Sequence, residues 1–413
     1  MNHSLRQDAE YIARRAIDSV KPDEAVRRAL SNVRFPGRVF LVAAGKAAWQ
    51  MASAALSCQS VPIAGGVVIT KYQHVMAPLS GIACYEAGHP VPDENSFLAT
   101  QAALDLTQNL QSTDTVLFLL SGGGSALFEK PLIPAEELQD ITRQLLASGA
   151  DIVEMNTIRK RLSAVKGGRF AQWCAPARVY SIILSDILGD PLDMIASGPA
   201  AADPSTCIQA QAIIQKYHIS LRAAASKCLM NETPKQLNNV TSQVIGSVRQ
   251  LCANAAEACK DLGYEPVYLT DQLCCQAREA GSFLAAILKS HADEDRRIAW
   301  LAGGETVVHL TGNGLGGRNQ ELALAAAEGI SGIRHAAVIS VGSDGTDGPT
   351  DAAGGYVDGD TLTALQEKGL SVYDVLTNND AYHALQQVDG LIITGPTGTN
   401  VNDIAIALLD CSE

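Results

Sequence analysis

Short, nearly continuous apolar runs alternate along the chain with longer stretches in which apolar residues recur every three or four positions. That alternation predicts parallel α/β construction, with strands covered on both faces by helices. In the first half the expected strands are Arg38–Val42, Gly66–Thr70, Ile82–Glu86, Thr115–Leu120 and Arg178–Leu184, separated by helices at Lys46–Leu56, Glu94–Leu110 and Ala135–Ala147. Ahead of them, Ala9, Ile12, Ala13, Ala16, Ile17 and Val20 fall at helical spacing and predict an amphipathic opening helix. The stretch Asn231–Ser242 is polar and short of helix formers, which marks it as the expected linker between domains. Beyond it the pattern resumes with a strand near Val244, a helix to Leu262, strand Pro266–Leu269, helix Gln276–His291, strands Arg297–Ala302 and Thr306–Leu310, helix Asn319–Ala327, strand Ala337–Val341 and a strand-rich tail from Gly390. No internal repeat or low-complexity segment interrupts this order.

Composition narrows the classes. A length of 413 residues allows two or three domains at roughly 150 residues each. The net charge of −13 repels a phosphate backbone, so nucleic acid is not an expected partner. No apolar run approaches the ~18–20 residues that span a bilayer, and Asp8, Glu10 and Asp18 in the first twenty residues fit neither a secretory signal nor a transit peptide. The ten cysteines are scattered with no C-x-x-C, which reads as thiols of a reducing, cytoplasmic compartment rather than a disulfide or zinc framework.

The candidate chemistry lies where glycines cluster at strand ends, because ligands of open α/β sheets bind beyond the carboxyl ends of the strands and these loops should converge on one cleft. The first loop, Ala43-Ala44-Gly45-Lys46-Ala47, resembles the end of a Walker A motif, G-x-x-x-x-G-K-S/T, but Phe40 stands at the first glycine and Ala47 at the hydroxyl. It is not a P-loop; a lysine opening a helix nevertheless favours a bound anion. The second, Ser121-Gly122-Gly123-Gly124-Ser125, offers a run of backbone N–H donors suited to phosphate or carboxylate. In the basic segment from Met155 to Gly168, Arg159 and Lys166 are seven apart and could face one anion, whereas Arg159, Lys160 and Arg161 cannot share a face, so at least one of the three is expected to be plain solvated charge. Asp186 and Asp190, in Ser185-Asp186-Ile187-Leu188-Gly189-Asp190-Pro191, suit a hard cation or a general base.

In the second half, Gly312, Gly314 and Gly317 satisfy G-x-G-x-x-G between a strand and a helix, but no acidic residue follows at the ribose-binding distance. Gly316, Gly317 and Asn319 flank Arg318, which again favours an anion at a helix start. Asp344, Asp347 and Asp351 place three carboxylates in eight residues as metal candidates, and Asn379-Asp380 and Thr394–Asp403 read as ligand-lining turns. Of eight histidines, only His89, in Gly88-His89-Pro90, stands in a glycine-flanked loop.

Taken in order, G-K-A-A, S-G-G-G-S-A-L, M-N-x-x-R-K-x-L-S-x-x-K-G-G, S-D-x-x-G-D-P with S-G-P, G-G-R-N-Q-E, G-T-D-G-x-T-D-A-A-G, N-D-A-Y and T-G-P-T-G-T-N-V-N-D resemble the hallmarks of the glycerate 2-kinase family from Gly45 to Asp403, nearly the whole chain. The resemblance implies an α/β protein with a larger Rossmann-like N-terminal domain on a mostly parallel sheet, expected over 1–236, and a smaller α/β C-terminal domain of the MOFRL type over 237–413, the active site lying in the interdomain cleft, with a return of the last strand or helix to the first domain allowed. It implies phosphorylation of D-glycerate at its 2-hydroxyl with ATP and Mg²⁺, and it makes Lys46 and Arg318 the catalytic pair, with Asp190 beside them. Partners are then the small-molecule substrate and a nucleotide, with no membrane; a homodimer is the default oligomer.

Family members also carry the label hydroxypyruvate reductase, so an NAD(P)H-dependent reductase is the alternative. Phosphoryl transfer asks for positive charge and positioning around the moving oxygens, which these loops supply. A hydride transfer would need a nicotinamide fingerprint and an acid beside the carbonyl. A non-catalytic sensor would leave Lys46 and Arg318 unexplained beside so many carboxylates.

Overall fold

The structure, a computed structural model, describes residues 2–411. The chain forms two compact units: Pro22–Ile245, and the residues up to Lys21 together with those from Gly246 onward.

The first unit is built on a six-stranded sheet of β1 (Val39–Ala44), β2 (Ile63–Lys71), β3 (Ile82–Ala87), β4 (Thr115–Leu120), β5 (Arg178–Leu184) and β6 (Val240–Gly246), in the order β3-β2-β1-β4-β5-β6. The pairings from β3 through to β5 are all parallel. Side chains alternate across the pleat, so each apolar run feeds two cores at once. Val42, Ala44, Val116, Phe118 and Leu120 join one cluster, and Leu41, Ala43, Leu117 and Leu119 join the other. The strand order reverses between β1 and β4, which makes that pair the topological switch point and puts the loops after them where ligands of such sheets bind. Ala44 stands opposite Leu120 in the register, so Gly45 and Ser121 leave the sheet side by side.

The second unit carries β7 (Glu265–Leu273), β8 (Arg297–Gly304), β9 (Ala336–Gly342), β10 (Gly354–Asp358), β11 (Leu391–Ile392) and β12 (Asp403–Asp410), in the order β11-β10-β9-β12-β8-β7. Only β7 and β8 run parallel; the other four pairings are antiparallel.

Four expectations about organisation are corrected. The opening helix forms (His3–Ser19, with the Asn2 side chain capping Ser4 and Leu5), but its apolar stripe covers β9, β12 and helix Val248–Asp261 of the second unit. Asp8 helps to fasten it there, accepting from Arg297 Nη2 at 2.9 Å and Tyr264 Oη at 2.8 Å. The stretch Asn231–Ser242 is not a linker. Thr233 is buried and donates to Asp203, Glu232 pairs with Arg161, and Asn239 donates to the carbonyls of Ala171 and Ala177, so the break falls at 245/246 instead of 236/237. The last strand does not return to the first unit, since β12 lies between β8 and β9. Residues 306–310 also form no strand; Val307 makes one isolated bridge to Gln276, and Val307 and Leu310 are exposed.

Candidate active site

In the first unit the loops at the switch point lock together through backbone bonds. Lys46 N donates to Gly122 O at 2.9 Å, Ser121 N to Ala44 O at 3.0 Å, and Ala47 N to Ser121 Oγ at 3.0 Å. Gly45 sits at φ +130°, and a Cβ there would stand 2.2 Å from Ser121 Oγ and 2.5 Å from its carbonyl oxygen, so only glycine allows the approach. Below the loop, Phe118 before it and Phe128 after it both pack on Phe170, with ring centroids 5.0 Å apart in each case. The turn is therefore clamped at both ends.

The five residues of Ser121–Ser125 divide by role. Ser121 spends its hydroxyl on Ala47. Gly124 is filled from behind, where a Cβ would meet Ala196 Cβ at 2.7 Å, and Ser125 Oγ bonds Ser197 Oγ at 3.2 Å. Gly122 and Gly123 face ionisable side chains. A Cβ on Gly122 would lie 2.3 Å from Asp186 Oδ2; one on Gly123, at φ +85°, would touch His89 and the Lys46 Cγ at 3.0–3.2 Å. Lys46, Asp186 and His89 thus meet around two glycines. Burial raises the Asp186 carboxyl above the ordinary range, an effect its own backbone N–H and Lys46 partly offset. Asp190 follows in the same loop at φ +52°, with a buried Oδ1 that has no hydrogen-bond partner among the described residues.

The basic segment behaves differently from its sequence reading. Helix Ile152–Arg161 ends before Lys166. Lys166 is wholly buried, held by Glu129 Oε2 at 2.8 Å and by the Phe128 carbonyl at 3.0 Å, so it presents no charge to a ligand. Burial lowers its ammonium to about 8 even though Glu129 supports the charge. Lys160 (2% exposed) pairs with Asp193 and Asp203, and Arg161 (0%) with Asp203 and Glu232; neither is solvated. Arg159 is half-buried and donates to the Ser125 carbonyl at 3.2 Å, bracing the glycine loop from behind. Burial lowers its guanidinium, and Glu129 works the other way.

In the second unit Arg318 opens helix Arg318–Gly329 and is gripped by Asp403 (Nε–Oδ2 2.5 Å, Nη2–Oδ1 2.9 Å) and by Glu305 at 3.2 Å. Burial opposes its charge, yet Asp403, Glu305 and Asp347 hold the guanidinium above its usual value. The sequence reading did not assign Asp403 or Glu305 as site residues, although Asp403 closes a segment it read as ligand-lining.

The helix start itself already has its anion. Asp347 (2% exposed) accepts from Asn319 N at 3.1 Å and Gln320 N at 2.8 Å, and Gly317 has no side chain because a Cβ would lie 2.3 Å from Asp347 Oδ1. Asp347 is thus an internal cap and not an open metal ligand. Burial drives its carboxyl up to about 6 against those two N–H bonds. Asn319 is equally committed, its Nδ2 to Asp347 and its Oδ1 to Ser340. Asp351 accepts from Tyr382 Oη at 2.8 Å, and Asp344 accepts from Thr346 N at 2.9 Å. Asp344, Asp347 and Asp351 are therefore each engaged by partners of their own, and no group of three or more His, Cys, Asp or Glu suited to a metal ion occurs among the described residues.

The dinucleotide-like glycines are also filled from within. A Cβ on Gly312 would lie 2.4 Å from Asn378 Cα, one on Gly314 2.4 Å from Asp380 Cβ, and one on Gly317 2.2 Å from Asp347 Cγ. They let the 312–317 strap lie on the turn before helix Ala381–Gln387, where Asn379 Oδ1 accepts from Thr311 N and Gly312 N.

No helix among the described residues is long and apolar enough to cross a membrane. Comparison with known proteins agrees with the motif pattern. Residues 8–230 match the family described as a domain of unknown function, DUF4147, and residues 298–403 match the MOFRL family. A D-glycerate 2-kinase of Thermotoga maritima is 50% identical over 412 residues, covering 98% of this chain and 99% of that protein. A protein of Agrobacterium vitis with a provisional hydroxypyruvate reductase name is 39% identical, covering 98% and 95%. The crystal structure of glycerate kinase from Thermotoga maritima superposes with a TM-score of 0.95 at 50% identity, covering 99% of this chain and all of that one. Motif order, fold and full-length similarity make this chain a member of the glycerate 2-kinase family.

Proposed function

We propose that the protein transfers the γ-phosphoryl group of ATP to the 2-hydroxyl of D-glycerate, giving 2-phospho-D-glycerate. The observation that carries this reading is the switch-point cradle, where Lys46 and Asp186 meet across Gly122 and Gly123 at the carboxyl end of a parallel sheet. Glycines let phosphate oxygens approach the backbone closely, and Lys46 supplies charge where those oxygens redistribute it. In the second unit the Arg318 fork is oriented by Asp403 and Glu305. Family membership supports the same reaction.

Mg²⁺ characteristically takes one or two carboxylates plus phosphate oxygens and keeps several waters. The unpartnered, buried Asp190 Oδ1 and the burial-raised Asp186 carboxyl fit that need, since a nearby cation would stabilise both as anions. Asp186 and Asp190 would hold the ion, which when bound neutralises charge on the nucleotide phosphates. Ten free cysteines suit a cytoplasmic setting.

The reductase reading fares worse because the glycines that would cradle a dinucleotide are occupied by Asn378 and Asp380. One pair of assays tests the choice. ADP should form only with D-glycerate, ATP and Mg²⁺ together, and phosphorus NMR should show the 2-phosphate. Robust NADH or NADPH oxidation with hydroxypyruvate and no ATP would overturn the kinase.

A further inference from the structure

His89 has no place in the scheme so far, yet it stands inside the cradle. It follows β3, two strands from β1, and its ring reaches back across the sheet end. Its Cδ2–Nε2 edge is the group that a Cβ on Gly123 would meet, at 3.0 and 3.1 Å, and the Lys46 Cγ lies at 3.2 Å from the same point. His89 is half-buried, and neither ring nitrogen has a hydrogen-bond partner among the described residues. Among the described histidines that are not exposed, His74 is engaged by the Lys46 carbonyl, His291 by Glu294 and His335 by the Ala292 carbonyl, which leaves His89 without a partner. An imidazole half-buried beside this cradle, with both nitrogens free of protein partners, is open to a ligand.

We propose that His89 is a catalytic residue that takes the proton from the acceptor hydroxyl, an inference that rests on the kinase reading. The hydroxyl O–H bond breaks and its proton passes to Nε2. The oxygen lone pair forms the new O–P bond while the bond from phosphorus to the bridging oxygen breaks, its electron pair leaving on the nucleoside diphosphate. The imidazolium then returns the proton to solvent. The role requires a neutral ring with its proton on Nδ1.

Every charged or titratable group that bears on the ring favours the neutral form. Burial acts first, followed by Lys46 from the turn after β1 and by Lys71 and His74 at the end of β2, and together they lower the imidazole below its ordinary value. Asp93, on the same loop, is tied to Tyr72 Oη at 2.7 Å and Ser96 N at 3.0 Å. Asp186, the carboxylate from the loop after β5, stands against Gly122 and interacts with Lys46. The acid limb of kcat/KM should therefore lie below about pH 6.5.

The test uses the full chain with His89→Gln and His89→Ala. Expected is a fall in kcat of at least about 100-fold with the KM for ATP and the melting temperature nearly unchanged, loss of the acid limb, and partial recovery of His89→Ala by added imidazole. If both variants fold poorly, diethylpyrocarbonate modification of the wild type gives the second measurement: carbethoxylation mapped to His89 should track loss of activity and be slowed by D-glycerate with ATP. An active wild type with near-normal kcat in His89→Gln overturns this proposal alone, as does a loss of kcat that keeps the acid limb and resists imidazole. A wild type unable to phosphorylate glycerate overturns the kinase reading, and this inference falls with it.

Discussion

Replacing Lys166 with methionine separates a ligand-binding cation from a structural one. Lys166 and Glu129 are 0% and 1% exposed at a separation of 2.8 Å, and Lys166 also donates to the Phe128 carbonyl at the end of the glycine turn. At pH 7 the lysine is still charged, because burial lowers it only to about 8. Lys166→Met removes the ammonium and leaves Glu129 as an uncompensated buried carboxylate, a change that costs about 3–5 kcal/mol. For a unit of this size each kcal/mol moves the melting temperature by about 2–4 °C, so a drop of roughly 6–20 °C is expected. Removing the charge from both partners in Lys166→Met/Glu129→Gln should restore much of it, since the cost lies in the orphaned charge and not in the absent pair. Calorimetry or a dye-based melt on the single and double variants measures this, with KM for ATP and glycerate taken well below the transition, where neither should change. An unaltered melting temperature combined with a strongly raised KM would refute the burial argument and make Lys166 a phosphate contact.

Lys46→Ala should lower kcat by the equivalent of about 3–5 kcal/mol, approaching an arginine-finger effect, with little change in melting temperature and little rescue by Lys46→Arg; steady-state kinetics beside a thermal melt would show otherwise as a near-normal kcat. Gly122→Ala places a Cβ 2.3 Å from Asp186 Oδ2 at an ordinary backbone φ, so it should displace the carboxylate and reduce kcat by 10-fold or more, on the order of 1.4 kcal/mol, without unfolding; unchanged activity would detach Asp186 from the reaction. Asp347 titrates at about 6 in the folded protein against 3.8 for the free side chain, so its protonated form adds stability that is complete below pH 3.8 and lost as pH rises through 6. Asp347→Asn, which still offers an oxygen to the helix N–H groups, should therefore gain on the wild type by up to about 3 kcal/mol between pH 4 and 7 in urea unfolding, and a pH-independent difference would contradict the assignment.

The parts of the fold that local pattern determines were readable from the chain, and those that depend on remote partners were not. Strands such as Thr115–Leu120 and Arg178–Leu184 are apolar on both faces and therefore carry their own signal. Gly354–Asp358 is also wholly buried, but its GGYVD reads as the end of an acidic turn until β9 and β11 pair on either side of it. The polar stretch from Asn231 to Ser242 looked like a linker because its partners, Arg161, Asp203 and the Ala171 and Ala177 carbonyls, lie 30 to 71 residues away. Charge followed the same rule. Composition treats Lys160, Arg161 and Lys166 as surface cations, and only Asp193, Asp203, Glu232 and Glu129 make them interior ones.

The site divides along that line as well. Lys46, Gly122, Gly123 and Asp186 were legible because each follows directly on a buried strand, and parallel neighbours must deliver such loops to one end of a sheet. Asp347 was misread because a carboxylate in a glycine turn looks the same whether it faces a metal or caps a helix 28 residues earlier in the chain. His89 could be noticed as a loop histidine but not placed, since its approach to Gly123 depends on β3, β2, β1 and β4 lying in that order. Strand order also explains the division of labour among the glycines. Where two loops leave adjacent strands, as after β1 and β4, glycine makes room for a backbone contact at Gly45 and for the Asp186, His89 and Lys46 side chains at Gly122 and Gly123. Where a single strap crosses a turn, as at 312–317, the same residue type makes room for the protein itself. A glycine motif therefore specifies close approach, and only its place in the sheet specifies what approaches.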